Sequence, residues 1–481
     1  MNYKMIGRFL GQILAIEGVF MIPALLISMG YGEWSTMRAF MISMAVIILA
    51  AGVLLLLGRS APKSMNAREG MVCVGISWIV LSLFGCLPFV ISREIPRYID
   101  AFFEIVSGFT TTGASILTDV EALSKGCLYW RSFSHWLGGM GVLVFLLAVA
   151  PGDKDTGFTM HLLRAESPGP EVGKLVPRMR KTASILYVIY IVMTLINFLL
   201  LLVDMPWLEA LCTAFGTAGT GGFGIKNDSI ASFSPYVQYV TTVFMFLFGI
   251  NFSCYYLLLL RQFRSVFRDE ELRTYVAIVA AAIVLIVLNI RHLYGSLEET
   301  FRHASFTVSS IITTTGYGTT DFDQWPAFSK AIIMFLMMVG ACAGSTGGGL
   351  KISRLLYLLK SLRRNTSQIL NPRQVKKVRN NGQVVSEKVL DNTNAYLAAY
   401  VCILALSFML VSLDEGTIGT NFTAVLSCFN NIGPGLEAVG PTCNFSHFSD
   451  LSKLVLSADM LAGRLEIFPI LVLFSKGTWK H

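Results

Sequence analysis

The sequence predicts an all-α polytopic membrane protein, in which two extra N-terminal helices precede four repeats of helix, half-helix and helix around a pseudo-fourfold axis. The chain has 481 residues, of which 54% are hydrophobic and 14% charged, whereas a soluble domain carries about 25% charged residues. Apolar runs recur from end to end of the chain. Four short apolar segments each end in a polar, glycine-centred stretch.

Ten apolar segments are long enough to cross a bilayer, since about twenty apolar residues make one spanning helix. An even number of spans places both termini on the same side of the membrane. The first apolar run, 6–29, is too long for the apolar region of a signal peptide and has no clear cleavage site. The predicted spans are 5–29, 37–58, 70–92, 126–150, 182–203, 234–260, 272–293, 326–361, 391–412 and 449–475.

The positions of the basic residues predict the orientation of these spans. Of the 38 lysines and arginines, 27 lie in alternate loops or near the termini, and cytoplasmic loops typically carry such an excess. We therefore expect both termini and the basic loops to be cytoplasmic, so that the net charge of +8 reflects topology rather than nucleic-acid binding. The basic segments are the N-terminus with Lys4 and Arg8, 59–69, 151–181, 261–273, 351–388 and the C-terminus from Lys476.

Four shorter apolar segments lie between the spans. At ~1.5 Å of rise per residue they reach only partway across the membrane, and we interpret them as re-entrant half-helices. They are 97–112, 205–217, 298–314 and 418–430, and they lead into "GFTTTGAS", "AGTGGFG", "TTTGYG" and "NNIGPG". The glycines that repeat from stretch to stretch are Gly113, Gly221, Gly316 and Gly433.

This repeat divides the chain into six parts. Residues 1–62 hold the two extra helices, and 63–165, 166–265, 266–366 and 391–481 hold the four repeat units. Residues 367–390 form a basic cytoplasmic linker between the third and fourth units.

The polar stretches predict a pore for a monovalent cation. Non-helical backbone survives at membrane depth only where it lines a cavity or is enclosed by protein, and the C-terminal ends of half-helices carry partial negative charge. Glycine lets successive carbonyl oxygens face one axis, where they replace the water shell of a dehydrated cation. None of the stretches contains Asp or Glu, which argues against a site for divalent ions. A set of helix caps and tight turns is the alternative interpretation.

Acidic residues follow the polar stretches at a short distance. They gather cations at the outer mouth of the pore, or they are ordinary solvated loop charges. These residues are Asp119, Glu121, Asp228, Asp321, Asp323 and Glu437.

The eighth predicted span contains a break. Five of the ten residues in 340–349 are glycine, and each glycine costs a helix roughly 1 kcal/mol relative to alanine. We hypothesise that this segment is a mobile gate beneath the polar stretches, whereas close packing against a neighbouring helix is the alternative. The residues of this gate are Gly340, Gly344, Ser345, Thr346, Gly347, Gly348 and Gly349.

Arg464 places a charge inside the last predicted span. Such a charge costs at least ~2.5 kcal/mol at mid-helix and usually faces a cavity or a partner. Its separation from Gly433 resembles that of Gly344 from Gly316, so the two residues lie at similar depth. We expect the guanidinium to bind carbonyls of the gate and to repel cations when the gate is closed. Pairing with Asp459 or Glu466 is the alternative.

At these residues the chain resembles the Trk/Ktr/HKT superfamily of potassium transporters, above all the membrane subunits of bacterial Trk systems. The resemblance runs along nearly the whole chain. It rests on "SGFTTTGAS" from Ser107, "SHWLGGMGVLV" from Ser134, "RAESPGP" from Arg164, "GACAGSTGGGLK" from Gly340, "NNIGPGL" from Asn430 and "GRLEIFPILVLF" from Gly463.

The resemblance implies K⁺ uptake through a gated, channel-like pore in the bacterial inner membrane. It implies a homodimer with a cytoplasmic ring of TrkA-like subunits that bind the nucleotide, a segment 340–349 that obstructs the pore, and contact between that segment and Arg464. Superfamily members with serine at the first filter glycine tend towards Na⁺, and glycine in all four units here favours K⁺. The implied ion-binding residues are Thr110, Thr111, Thr112, Gly113, Gly219, Thr220, Gly221, Thr314, Thr315, Gly316, Asn431, Ile432 and Gly433.

Two other functional classes are alternatives. A K⁺ symporter coupled to H⁺ or Na⁺ would typically show inverted repeats and intramembrane carboxylates, but these repeats are parallel and carboxylates deep within the spans are few, namely Glu17, Asp459 and Glu466. An intramembrane enzyme would need a nucleophile and a base at one depth, and none is visible. We therefore expect a transporter rather than an enzyme.

Other residues predict no bound cofactor. The six histidines lack metal-ligand spacing, and "GSTGGGLKIS" lacks the Gly-Lys-Ser/Thr ending of a phosphate loop. The nine cysteines form no C-x-x-C pair, so we interpret them as small buried hydrophobic residues. The basic segment 351–388 docks the partner ring or anionic lipid, or it serves only to set topology.

Overall fold

The computed structural model describes residues 1–60, 66–141, 179–373 and 376–479. Within these residues the regular structure is helical except for one hairpin of two antiparallel strands, β1 (Arg379–Asn380) and β2 (Gln383–Val384). Six described helical segments are long and apolar enough to cross a membrane, or seven if a pair bent near residue 250 counts as one span. The protein is thus an all-helical polytopic membrane protein, as the sequence predicts.

Two spans form the N-terminal part of the fold. The first consists of α1 (Tyr3–Phe20) and α2 (Ile22–Gly30), which are separated at Met21 because Pro23 begins a new first turn; proline is suited to that position and not to a helix interior. The second span, α3 (Trp34–Leu57), returns along α1. Both spans match the predicted segments 5–29 and 37–58.

The four repeats follow in chain order, and all four predicted half-helices are present. The first unit has α4 (Ala67–Gly85), α5 (Leu87–Ile91), half-helix α6 (Tyr98–Phe109) and α7 (Lys125–Met140). The second has α8 (Met179–Leu201), half-helix α9 (Trp207–Gly219), α10 (Pro235–Phe248), α11 (Phe252–Leu259) and α12 (Phe263–Phe267). The third has α13 (Glu270–Ile290), half-helix α14 (Leu297–Ile312), α15 (Ala327–Val339) and α16 (Ile352–Leu370). The fourth has α17 (Glu387–Val411), half-helix α18 (Ile418–Phe429), α19 (Asp450–Arg464), α20 (Phe468–Phe474) and α21 (Lys476–Trp479).

Serine caps begin the second helix of three units. The hydroxyl oxygens of Ser124, Ser234 and Ser449 accept hydrogen bonds from the backbone amides three residues later, at the starts of α7, α10 and α19. Such a cap contributes about 1 kcal/mol. In the third unit Pro326 takes the cap position of α15 instead. These local signals start each helix where the chain returns from the loops after the half-helices.

The second helices of the second, third and fourth units are interrupted, although the sequence predicts a break only in the eighth span. The predicted continuous helices 234–260 and 449–475 are wrong. Helices α10 and α11 are bent by 89° at the break between them. At this break Gly249 packs closely against the third unit, since a Cβ there would lie 2.7 Å from Thr313 Cγ2, and the Asn251 side chain caps α11. Helix α19 ends at Arg464, and Pro469 lies in the first turn of α20.

Some predictions lie outside the described residues. The predicted span 126–150 is described only to residue 141, where Gly141 has a φ of 80°. The structure does not describe residues 142–178. Most of the basic loop 151–181 and the whole segment "RAESPGP" lie there.

Candidate functional site

Each half-helix leads into the same backbone turn. One residue shortly after the helix has a left-handed conformation, with φ of 55° at Thr111, 53° at Thr220, 59° at Thr314 and 57° at Asn431. Two residues later a glycine also has positive φ, at 82° for Gly113, 74° for Gly222, 83° for Gly316 and 98° for Gly433. Side chains other than hydrogen strain such a conformation, so the turn itself requires these glycines.

The structure corrects the predicted repeat glycine of the second unit by one residue. Gly222, and not Gly221, follows the left-handed Thr220 by two residues and has positive φ. Gly221 instead takes the position of Thr112 and Thr315. The sequence has two consecutive glycines here, and spacing alone does not distinguish them. Gly222 is therefore absent from the predicted ion-binding residues, although it lies in the same loop.

The four loops meet in a closed ring. A Cβ placed on Gly113 would collide with the carbonyl oxygen of Gly221, one on Gly222 with that of Thr315, and one on Gly316 with that of Ile432. The ring closes because a Cβ on Gly433 would lie 2.7 Å from the carbonyl oxygen of Thr112. Each loop thus touches the next through bare backbone, and segments roughly one hundred residues apart in the sequence are brought together.

The ring contains hydroxyl and amide groups but no carboxylate. In the first loop the hydroxyls of Thr110 and Thr112 lie 2.8 Å apart, and in the third those of Thr313 and Thr315 lie 2.8 Å apart. In the fourth loop the Asn431 amide donates to the Thr112 hydroxyl at 3.0 Å. The predicted Thr110–Gly113, Gly219–Gly221, Thr314–Gly316 and Asn431–Gly433 all belong to these four loops.

Links between the outer loops surround the ring. Asn227 of the second unit donates to Asp119 of the first at 2.9 Å, and the Glu437 amide of the fourth donates to Asp323 of the third at 3.1 Å. The hydrogen bond from Asn227 lowers the pKa of Asp119. The Phe445 amide reaches the Ser115 carbonyl oxygen at 2.8 Å and joins the fourth unit to the first. Several of the predicted acidic residues therefore have structural partners at the rim.

The predicted gate segment lies directly beneath the ring. The Gly348 amide donates to the Thr314 hydroxyl at 2.6 Å, and a Cβ on Gly347 would lie 2.8 Å from the Thr313 carbonyl oxygen. A Cβ on Gly348 would collide with the carbonyl oxygen of Asn430. Glycine at these two positions lets the segment pack against the ends of two half-helices, and Gly340, Gly344 and Gly349 have positive φ.

Arg464 contacts this segment, as the sequence predicts. Its Nη1 donates to the Thr346 carbonyl oxygen at 2.8 Å, and its Nη2 donates to the carbonyl oxygens of Gly138 and Gly139, the latter at 2.7 Å. The guanidinium therefore joins α19 to both the gate segment and the end of α7. The alternative is a pairing of Arg464 with Asp459 or Glu466. Glu466 forms a salt bridge with Arg354.

Sequence reasoning missed Glu271, which binds both the gate segment and the first turn of the following helix, α16. This residue is 8% exposed, and its Oε1 accepts from the Ala343 amide at 2.7 Å and from the Ser353 amide at 3.1 Å. Lys351, the residue before α16, donates from Nζ to the Gly347 carbonyl oxygen of the segment. An acidic residue in the first turn of a helix is ordinarily explained by the helix dipole, so its sequence position alone does not reveal this contact.

A hairpin of the basic linker lies next to Glu271. The tip residue Asn381 donates from its side chain to Asp269 at 2.8 Å, and its backbone amide donates to Glu270 at 2.9 Å. Lys360 of α16 forms a salt bridge with Glu270. The start of α13 thus connects the linker hairpin, α16 and the gate segment.

Comparison with known proteins identifies relatives along the whole chain. The TrkH family model, described as a cation transport protein, matches residues 36–479. The Trk system potassium uptake proteins TrkH of Salmonella typhimurium and Escherichia coli K12 are each 33% identical over 489 residues, with 100% of both chains covered. The crystal structure of the potassium transporter TrkH from Vibrio parahaemolyticus matches with a TM-score of 0.88 and 30% identity, covering 100% of both chains.

Proposed function

Because the chain belongs to the TrkH family of cation transport proteins, we propose that it takes up K⁺ through a gated, channel-like pore whose selectivity filter is the ring of four loops. The observation that carries the proposal is the closed circle of backbone contacts from Gly113 through Gly222 and Gly316 to Gly433. A circle of this kind offers carbonyl oxygens from four directions to one ion. The names of the relatives support K⁺ as the transported ion.

The physical basis of selectivity is replacement of the hydration shell. In each loop two residues with positive φ flank one residue without it, and backbone of this kind can turn successive carbonyls towards one axis. The C-terminal ends of the half-helices add partial negative charge. Because the ring has no carboxylate, its field suits a monovalent ion better than a divalent one. Threonine hydroxyls brace the loops without adding charge.

The gate is the segment 340–349 together with Arg464. The segment lies under the ring and would block an ion that leaves the filter. Arg464 binds it through the Thr346 carbonyl, and its positive charge opposes the entry of cations into the closed state. Opening requires the segment to move away from Thr314 and Asn430, and its five glycines supply the backbone freedom for that movement.

The assembly that we propose is a homodimer in the bacterial inner membrane, with both termini in the cytoplasm. A ring of TrkA-like subunits would bind the nucleotide and dock on the basic segment 351–388. The relatives are named as components of a Trk system, which supports a multi-component assembly. The contacts of the linker hairpin with Asp269 and Glu270 support a route from that surface to the gate.

A symporter coupled to H⁺ or Na⁺ is the second candidate, and Glu17 is the observation that favours it. This carboxyl group is 2% exposed, and neither oxygen has a hydrogen-bond partner among the described residues. Asp459 is 3% exposed, and only one of its oxygens is hydrogen-bonded, to Ser407. Glu17 lies in a segment long and apolar enough to cross a membrane, where a carboxyl could exchange a proton during transport.

The flux of radiolabelled Rb⁺ into proteoliposomes tests the proposal, with Na⁺ and Li⁺ as competitors. We expect uptake that follows the Rb⁺ gradient, weak competition by the smaller ions and no accompanying proton movement. Proton movement in fixed ratio to Rb⁺ would support the symporter instead. The absence of Rb⁺ uptake from vesicles that contain folded protein would overturn the proposed function.

A further inference from the structure

The second filter loop is held by two residues on one face of α7. Arg131 and His135 are separated by one helical turn, so their side chains point in the same direction. Arg131 Nη1 donates to the Gly224 carbonyl oxygen at 2.8 Å, and its guanidinium lies 3.5 Å from the centre of the Phe223 ring. The His135 ring lies on the same aromatic residue, with 4.2 Å between ring centroids.

His135 also bridges two units by hydrogen bonds. Its Nδ1 lies 2.8 Å from the carbonyl oxygen of Gly108, near the end of the first half-helix, and its Nε2 lies 3.2 Å from the Phe223 amide nitrogen. The carbonyl can only accept and the amide can only donate, so Nδ1 carries the proton and Nε2 is the acceptor. The imidazole of His135 is therefore neutral, and the residue is completely buried.

The imidazole occupies the space of a missing side chain. A Cβ on Gly221 would collide with Cγ and Nδ1 of His135 and would lie 2.6 Å from its Cδ2. The equivalent positions in the first and third loops are Thr112 and Thr315, whose hydroxyls are braced from within their own loops. The second loop lacks this threonine pair. The imidazole of His135, which belongs to the neighbouring helix α7, supports the loop in its place. This relation explains why the second stretch departs from the T-T-T-G pattern.

We propose that His135, with its proton on Nδ1, is the positioning residue of the second filter loop and thereby determines how strongly that quarter of the ring discriminates K⁺ from Na⁺. The inference rests on the proposed function. Loss of the imidazole leaves the Phe223 amide without its acceptor and frees the backbone at Gly221. A loop with this freedom adapts to the smaller ion, because its carbonyl oxygens are no longer held apart.

The first test compares His135→Leu with His135→Gln by the K⁺/Na⁺ permeability ratio in planar bilayers. Glutamine can donate to Gly108 and accept from Phe223, whereas leucine can do neither. We expect the leucine variant to lose about tenfold in the ratio, which corresponds to about 1.4 kcal/mol, and the glutamine variant to retain most of it. The exposed outer-loop variant His447→Gln serves as a control with an unchanged ratio.

A second test uses the steric pairing of His135 with Gly221. Gly221→Thr alone should lose selectivity, and His135→Ala/Gly221→Thr should regain part of it, because the new side chain fills the vacated space. A His135→Leu variant with wild-type conductance and an unchanged K⁺/Na⁺ permeability ratio would overturn the proposal. If the leucine variant does not fold, the double variant decides instead: a permeability ratio no higher than that of Gly221→Thr would overturn the proposal. A wild-type protein that carries no Rb⁺ would overturn the proposed function and this inference together.

Discussion

The guanidinium of Arg464 lies 2.8 Å from the carbonyl oxygen of Thr346, although the two residues are 118 positions apart in the chain. The same side chain reaches the last turn of α7 in the first unit. One residue of the fourth unit therefore joins the gate segment of the third unit to a helix of the first. This contact places the positive charge of Arg464 against the segment that we propose as the gate.

Removing the side chain of Arg464 should open the gate more often. Hydrogen bonds from charged groups contribute about 1.5–3 kcal/mol each, so we expect Arg464→Ala to raise the single-channel open probability roughly tenfold. Arg464→Lys keeps the charge but cannot bridge both partners, so its open probability should lie between those of the wild type and Arg464→Ala. Deletion of Gly347–Gly349 should likewise raise open probability. Unchanged gating in both the alanine variant and the deletion would exclude this gate.

Glu271 should stabilise the closed gate through the hydrogen bonds that it accepts from two backbone amides. Glu271→Ala leaves the buried amides of Ala343 and Ser353 without an acceptor, at about 1–3 kcal/mol for each. We expect a higher open probability for this variant, measured on single channels without any partner protein. Glu271→Gln keeps one acceptor oxygen and should behave more like the wild type. Equal open probabilities for the alanine variant and the wild type would contradict the role.

The ring glycines should be intolerant of any side chain, while a nearby glycine should tolerate one. At Gly316 the backbone has positive φ and a Cβ would collide with the Ile432 carbonyl oxygen. At Gly318, two residues later, the nearest atom to such a Cβ is 3.7 Å away. We therefore expect Gly316→Ala to lose most Rb⁺ uptake and Gly318→Ala to keep it. Comparable uptake by both variants would mean that the ring contacts do not shape the conducting path.

The hairpin of the basic linker should couple the cytoplasmic partner to the gate. Asn381→Ala removes the side-chain contact with Asp269, and deletion of 370–388 removes the hairpin altogether. We expect both changes to weaken the response of Rb⁺ flux to nucleotide in the presence of the partner ring. The exposed neighbour Gln383→Ala is the matched control. A full nucleotide response after the deletion would show that control enters elsewhere.

Much of this organisation is predictable from the sequence because bilayer thickness restricts helix length. The half-helices are recognisable because they are too short to span, and the break at 340–349 because five glycines in ten residues disfavour a continuous helix. The break after Arg464 and the bend near residue 250 are not predictable in this way, since a single glycine at each place is compatible with a continuous helix. Glu271, His135 and the exact glycine of the second loop are also missed, because their roles depend on contacts between units far apart in the sequence.

The most direct test of the account is the position of a bound ion. Anomalous scattering from crystals grown with Rb⁺ should place a peak on the common axis of the four loops. We predict direct contact with the carbonyl oxygens of Thr112, Gly221, Thr315 and Ile432. A protein that transports Rb⁺ but shows its bound ion away from these four oxygens would contradict the central claim.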